Sequence, residues 1–284
     1  MADSVATSLP RICLVVLMGL PGSGKTTFAR HIENFLREQS NLINFGVFHM
    51  CYDQIVPLIK QKEMALVASR NDTKSLDMNS EVTDDFKICR KNFTSLIDHV
   101  LFKLKGELGN EKVIESKIDK FSLILSDLEG KENILVVIDD NNYYQSMRYE
   151  YYKLSRKHTT SFCQIYLKPS CIDTLFCNNK KRPEHETIPD EVIVKMNSKI
   201  EPPNPFENSW EQFSFSINVP EKKEESADKY LFNFNTFLDV INAALDSPIQ
   251  PLPPTPLEKT EEAKAMSKNI CSTNAYHISD KILR

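Results

Sequence analysis

Residues 19–26 read Gly19-Leu20-Pro21-Gly22-Ser23-Gly24-Lys25-Thr26. They satisfy the pattern G-x-x-x-x-G-K-[ST] position for position. The chain has only 7 glycines, and Gly19, Gly22 and Gly24 all fall in this octet. Glycine is needed where a loop takes positive φ and lets a phosphate approach the backbone. The flanks agree. Residues 12–18 are an apolar run of buried-strand length, and after Lys25 the residues Phe28, Ile32 and Phe35 or Leu36 share one helical face. Strand, loop and helix are thus expected where phosphate binding needs them. Backbone N–H groups and the helix N-terminus would surround the β- and γ-phosphates, Lys25 would bridge them, and the Thr26 hydroxyl would hold Mg²⁺. The expected nucleotide contacts are Gly19, Leu20, Pro21, Gly22, Ser23, Gly24, Lys25, Thr26 and Thr27. The competing reading is a plain glycine turn between a strand and a helix. The loop implies a nucleoside triphosphate and leaves the acceptor open.

Further strands follow. Phe45 to Cys51, residues 134–138 and residues 161–167 are near-continuous apolar runs separated by helical patterns. That alternation predicts an α/β fold, a parallel sheet covered by helices on both faces. In such sheets ligands bind beyond the carboxyl ends of the strands. The phosphate loop, Asp53 and Asp139 all stand at such ends and are expected to converge on one crevice.

Composition bounds the rest. A chain of 284 residues with 41% hydrophobic and 26% charged residues reads as an ordinary globular protein of one or two domains. No apolar run is long enough to span a membrane, and residues 1–8 do not read as a secretory signal. The 7 cysteines contain no C-x-x-C pair, and Cys163, Cys171 and Cys177 lack zinc-site spacing, so reduced thiols in a cytoplasmic protein are expected. A net charge of −4 argues against a uniformly basic nucleic-acid binder, though a local basic patch would suffice for phosphate contacts.

Residues 10–200 are read as the nucleotide-binding domain, with 54–133 inserted in it. Within the insertion, Phe86, Cys89, Phe93, Leu96, Ile97, Val100, Leu101 and Leu104 recur at helical spacing, and so do Ile114, Ile118, Phe121, Ile124, Leu125 and Leu128. Two amphipathic helices joined near residues 106–110 are expected, preceded by a polar loop over 69–81. They would either pack on the core or clamp a substrate. Past Pro202-Pro203-Asn204-Pro205 the chain leaves the α/β pattern. Residues 201–284 are read as a smaller, mainly helical C-terminal portion, with a short strand at 213–217, a helix near 229–245 and a stiff proline-rich linker at 247–256.

Phosphoryl transfer to an alcohol needs a residue that positions or deprotonates the hydroxyl. Asp53, at the end of the second strand, is the candidate, and the competing reading is a helix N-cap. Asp139 and Asp140 follow an apolar strand, as a metal-holding carboxylate would. Asp139 is assigned to Mg²⁺, and a strand-end turn is the alternative. Lys180-Lys181-Arg182 stand where a mobile lid would carry cations to the transferred group, or they form a solvated charged turn.

The stretch Asp139-Asp140-Asn141-Asn142-Tyr143-Tyr144-Gln145-Ser146-Met147-Arg148-Tyr149-Glu150 closely resembles the signature of the L-seryl-tRNA(Sec) kinase family. Supporting segments are Leu17-Met18-Gly19-Leu20-Pro21, Tyr52-Asp53, Arg182-Pro183, Pro203-Asn204-Pro205 with Trp210, and Ile270-Cys271-Ser272-Thr273-Asn274. The resemblance implies a P-loop kinase that uses ATP and Mg²⁺ to convert seryl-tRNA(Sec) to O-phosphoseryl-tRNA(Sec), the precursor of selenocysteinyl-tRNA. It implies Asp53 as the catalytic aspartate, with Lys25 and Arg182 beside it. It also implies a C-terminal portion that contacts the tRNA D-arm while the acceptor end enters the crevice; DNA and membranes are not expected partners. The family's lid carries R-x-x-x-R; here Arg182 fits the second position and Asn178 stands at the first, with Lys180 or Lys181 as substitute cations. Tyr143 and Arg148 are read as surface residues able to clamp the tRNA end, with Tyr144, Met147 and Tyr151 as the buried helix face. The family is also similar to Kti12-type proteins. A Kti12-like tRNA-dependent ATPase and a small-metabolite kinase are the competing functions.

Overall fold

The computed structural model describes residues 9–56, 78–106, 124–219 and 234–252. Five strands, β1 (Arg11–Met18), β2 (Phe45–Cys51), β3 (Asn133–Asp139), β4 (Ser161–Pro169) and β5 (Ser214–Val219), form one sheet in the order β2-β3-β1-β4-β5. Every pairing is parallel. Helices α1 (Lys25–Glu38), α2 (Met78–Leu104), α3 (Gln145–Lys157), α4 (Ile172–Asn179), α5 (Asp190–Asn197) and α6 (Phe234–Leu245) accompany it.

Side chains of a strand alternate between the two faces of a sheet, and β1 shows how the core divides. Ile12, Leu14 and Val16 point to the face covered by Phe93, Leu96, Ile97, Val100 and Leu101 of α2 and by Tyr151 of α3. Cys13, Val15 and Leu17 point to the opposite face, under Phe28, Ala29, Ile32 and Leu36 of α1 and Phe237, Ile241 and Ala244 of α6. Both faces are dry, which is why β1 and β3 read as unbroken apolar runs.

The first insertion helix is present as α2 and packs on the sheet, the structural one of its two expected roles. It begins at Met78, so the end of the polar stretch expected to be a loop over 69–81 is helical, and residues 69–77 lie outside the described residues. The second insertion helix lies mostly outside them too, as do the start of the 229–245 helix, residues 253–256 of the proline-rich linker and the 270–274 tail motif.

The C-terminal portion needs correcting. Residues 214–219 do not leave the α/β pattern; they pair with β4 as the fifth parallel strand. Helix α6 closes the face that α1 only half covers, with Phe237 edge-on to Phe28 and Phe234 stacked on Phe35. Contacts divide the chain at Gln250, giving the units Met1–Gln250 and Pro251–Arg284, rather than near residue 200. The physical reason is that an edge strand with one apolar face and an amphipathic helix are more stable buried on the existing sheet than as a small separate core.

Candidate active site

The loop after β1 is set by two glycines in the left-handed region. Gly22 has φ +82°, and a Cβ there would lie 2.3 Å from the Leu175 carbonyl oxygen of α4. Gly24 has φ +85° and caps α1 without any side-chain hydrogen bond. The N-cap residue therefore offers the first N–H groups of α1 no side chain, which leaves them to an anion. The Lys25 ammonium donates to the Gly19 and Leu20 carbonyl oxygens, both at 3.0 Å. Burial pulls its pKa down and Arg182 adds to this, partly offset by the Asp139, Asp140 and Asp53 charges. Ser23 Oγ is buried and, among the described residues, has no hydrogen-bond partner, which leaves a donor for a phosphate oxygen. The residues present thus fit a nucleoside triphosphate.

The strand register aligns the carboxylates. Asp139 is level with Leu17 of β1 on one side and with Cys51 of β2 on the other. Gly19 and Asp53 each stand two residues beyond those partners and so flank Asp139. His49 Nε2 lies 3.1 Å from Asp139 Oδ2, and the Thr26 hydroxyl donates to the same carboxylate. Burial pushes the Asp139 pKa up, but the His49 and Thr26 hydrogen bonds and the Lys25 charge outweigh it and hold the carboxyl below its ordinary range. A hydroxyl and an ionised carboxylate side by side at a phosphate loop suit Mg²⁺. Asp140 is occupied otherwise. Its Oδ1 accepts the Asn141 N–H at 2.7 Å and its Oδ2 pairs with Arg90 Nη1 at 2.8 Å. Of the two carboxylates, Asp139 is the one suited to a metal.

Asp53 lies in a helical turn, residues 52–56, directly after β2. It is inside the turn rather than at its cap, which disfavours the capping reading. The side chain is open to the crevice, while the crevice walls still strip part of its water. That desolvation, then the Asp140 charge, raise its pKa; Lys25 and Arg182 pull the other way. Lys25, Asp53, Asp139 and Arg182 are therefore brought within electrostatic reach of one another.

Helix α4 is anchored to the phosphate loop. Asn178 Nδ2 donates to the Gly22 carbonyl oxygen at 3.0 Å, so the residue in place of the first lid arginine ties α4 to the phosphate loop. Leu20 of the loop is buried with Leu175 of α4 and Ile193 of α5. Asn179, also buried, bonds the Ile188 carbonyl oxygen and N–H, and pins the returning chain to α4. Arg182 is half-buried just beyond α4, whereas Lys180 pairs with Asp190 at 3.3 Å on the surface.

One expected substrate residue is corrected. Arg148 is not a surface clamp; it is fully buried. Its Nε donates to Gln164 Oε1 at 2.8 Å, its Nη1 to the Asn142 carbonyl oxygen at 3.2 Å, and its Nη2 pairs with Glu211 Oε1 at 2.9 Å. The buried stripe of α3 is Arg148, Tyr151 and Ser155. Tyr144 and Met147 are only half-buried. A buried arginine was unexpected because its partner Glu211 is 63 residues away along the chain. Tyr143 remains at the crevice, its ring 4.2 Å from that of Tyr144 and packed beside Leu20 and Leu175. Arg90, on α2, is a site neighbour that sequence reasoning missed; an arginine on an amphipathic helix carries no local signal.

Comparison with known proteins follows the same lines. The family model described as chromatin associated protein KTI12 matches residues 12–281. L-seryl-tRNA(Sec) kinase of Homo sapiens is 30% identical over 297 residues, covering 95% of this chain and 75% of the human one. The same enzyme of Mus musculus is 30% identical over 301 residues, covering 97% and 74%. Among solved structures, Kti12 of Chaetomium thermophilum in complex with ADP-AlF3 aligns at 18% identity with a TM-score of 0.45, covering 82% of this chain and 95% of that chain. At that overlap the structural likeness carries no weight beside the sequence relationship.

Proposed function

The chain belongs to the KTI12 family and is a relative of the L-seryl-tRNA(Sec) kinases, and from that premise we propose that it phosphorylates the seryl group of L-seryl-tRNA(Sec). ATP is the phosphoryl donor and O-phosphoseryl-tRNA(Sec) the product, a step toward selenocysteine.

The observation that carries this reading is the position of Asp53. An open carboxylate whose affinity for a proton is raised stands across Asp139 from the phosphate loop. A general base there can take the proton of an alcohol as its oxygen attacks the γ-phosphorus. The bond between the γ-phosphorus and the bridging oxygen breaks, and ADP leaves. The loop N–H groups and Lys25 bear charge on the phosphate oxygens, and Arg182 approaches from the lid. Thr26 and Asp139 would hold Mg²⁺, which would supply further neutralisation of the phosphates. In this proposal the acceptor end of the tRNA enters beside Tyr143, and the C-terminal portion holds the D-arm. The soluble reaction would run in the cytoplasm; among the described residues no helix is long and apolar enough to cross a membrane.

The test is transfer of labelled γ-phosphate to serine-charged tRNA(Sec), with serine-charged tRNA(Ser) and free serine alongside. Label on seryl-tRNA(Sec) is expected. Label in free serine would make the protein a metabolite kinase, and label only in inorganic phosphate a Kti12-like ATPase. Lys25→Ala and Asp53→Ala should each abolish transfer, and Asp53→Ala should leave ATP binding intact. Near-normal turnover in Asp53→Ala would remove Asp53 as the base.

A further inference from the structure

Arg90 brings to the crevice a cation that belongs neither to the phosphate loop nor to the lid. It comes from α2, in the insertion, and its Nη1 lies 2.8 Å from Asp140 Oδ2. The same guanidinium lies 5.3 Å from the centre of the Tyr52 ring, within cation–π range. Three residues further along α2, Phe93 meets the same ring edge-on, with centroids 5.2 Å apart at 76°. Positions i and i+3 share one face of a helix, so α2 grips Tyr52 twice. Tyr52 is the residue immediately before Asp53. Ile55, in the same turn, is buried in the cluster that α2 covers. Asp140 immediately follows Asp139. One side chain of the insertion therefore bridges the ends of β2 and β3, the two strands that deliver the carboxylates.

An ion pair so placed is poorly explained by stability alone. The Asp140 side chain is 5% exposed and that of Arg90 31%. Removing two charges from water offsets most of their attraction, so such pairs are weak contributors to folding. Their value here is geometric, since the pair and the ring contact fix the direction in which the turn at residues 52–56 leaves the sheet.

We infer that Arg90 is a positioning residue for phosphoryl transfer: through Asp140 and the Tyr52 ring it holds the turn that carries Asp53, so that the helical insertion sets the acceptor side of the site. This rests on the function proposed above. Arg90 is not assigned to the phosphates; besides Asp140 and the Tyr52 ring it faces the Tyr151 hydroxyl of α3, which braces the guanidinium.

The experiment compares the full-length chain with Arg90→Met and Arg90→Lys at saturating ATP and seryl-tRNA(Sec). A wild-type chain that transfers no label would sink the function, not this inference. With an active wild type, Arg90→Met is expected to lower kcat at least about tenfold, against the roughly hundredfold that a 1 Å misplacement can produce. The dissociation constant for ATP should stay within about twofold. Arg90→Lys should recover part of the loss, since an ammonium still pairs with Asp140. If Arg90→Met does not fold, Arg90→Met/Asp140→Asn, which leaves no unpaired buried charge, should fold and show the same loss of kcat. The inference is overturned by wild-type kcat in folded Arg90→Met or Arg90→Met/Asp140→Asn, by kcat and ATP affinity falling in proportion, or by Arg90→Lys behaving as Arg90→Met.

Discussion

Replacing Arg148 by Met separates a scaffold residue from a substrate residue. The wild-type guanidinium is wholly buried and makes two hydrogen bonds and an ion pair. Its partner Glu211 is 1% exposed. The other Glu211 oxygen accepts the Asn204 N–H at 2.8 Å and Asn208 Nδ2 at 3.2 Å. After Arg148→Met those two donors remain, but the carboxylate loses its counter-charge. Removing one partner of a buried pair costs about 3–5 kcal/mol. For a unit of this size each kcal/mol lowers the melting midpoint by about 2–4 °C, so a fall of roughly 6–20 °C is expected. The assay is thermal unfolding followed by circular dichroism, with seryl-tRNA(Sec) turnover measured well below the midpoint. Arg148→Met/Glu211→Gln should regain part of the lost midpoint, because the neutral amide needs no counter-charge. A midpoint within about 2 °C of wild type would refute the scaffold role. A selective loss of tRNA affinity with an unchanged midpoint would return Arg148 to the acceptor.

Three other outcomes can be checked directly. Gly22→Ala places a Cβ 2.3 Å from the Leu175 carbonyl oxygen at a φ of +82°, so α4 must lift off the loop. ATP binding measured by calorimetry should weaken about tenfold, the equivalent of about 1.4 kcal/mol, and unchanged affinity would show that the contact is dispensable. Asp53 must be ionised to accept a proton, and its pKa is raised above 3.8. Activity is therefore lost as pH falls through a value above that figure, and the acid limb of kcat/KM should show it. Asp140→Asn removes a charge that raises the Asp53 pKa and should move the limb to lower pH. A limb at or below 3.8 in the wild type would contradict the raised value.

Much of the site was legible because its signals are local. The phosphate loop packs its glycines, Lys25 and Thr26 into eight consecutive residues. Asp53 and Asp139 follow apolar runs whose ends the sheet brings level. What escaped was set by distant partners. Arg148 reads as a surface charge until Glu211 is seen beside it, and the Pro203–Asn204–Pro205 and Trp210 segments then make sense as its surroundings. Trp210 packs against Tyr149, Tyr152 and Phe162, and Glu211 holds the Asn204 backbone. These signature residues near 139–150 and 203–211 thus brace β4 and β5 against α3. The short strand expected at 213–217 was set outside the α/β pattern because it follows Pro202-Pro203-Asn204-Pro205, and only Ile217 and Val219 along β5 are buried. An edge strand with one covered face does not show the unbroken apolar run of β1 or β3. Asn178 looked like a missing arginine, and its bond to Gly22 became visible only once α4 was placed.

The strand order has a consequence for how such a protein can change. Strand β1, with the phosphate loop, divides the crevice. On the β4 side stand α4, Asn178 and Arg182, with α4 tied to the phosphate loop, where the donor nucleotide would bind in the proposed reaction. On the β3–β2 side stand Asp139, beside Thr26 of the loop, and beyond it Asp53 and the insertion helix, which would meet the acceptor in the proposed reaction. Each half has its own stretch of chain, joined chiefly through β1. An altered or exchanged insertion between β2 and β3 could therefore redirect the phosphate to a different alcohol while the donor half is inherited unchanged. In the proposed reaction, the sheet would make donor and acceptor recognition separately heritable traits.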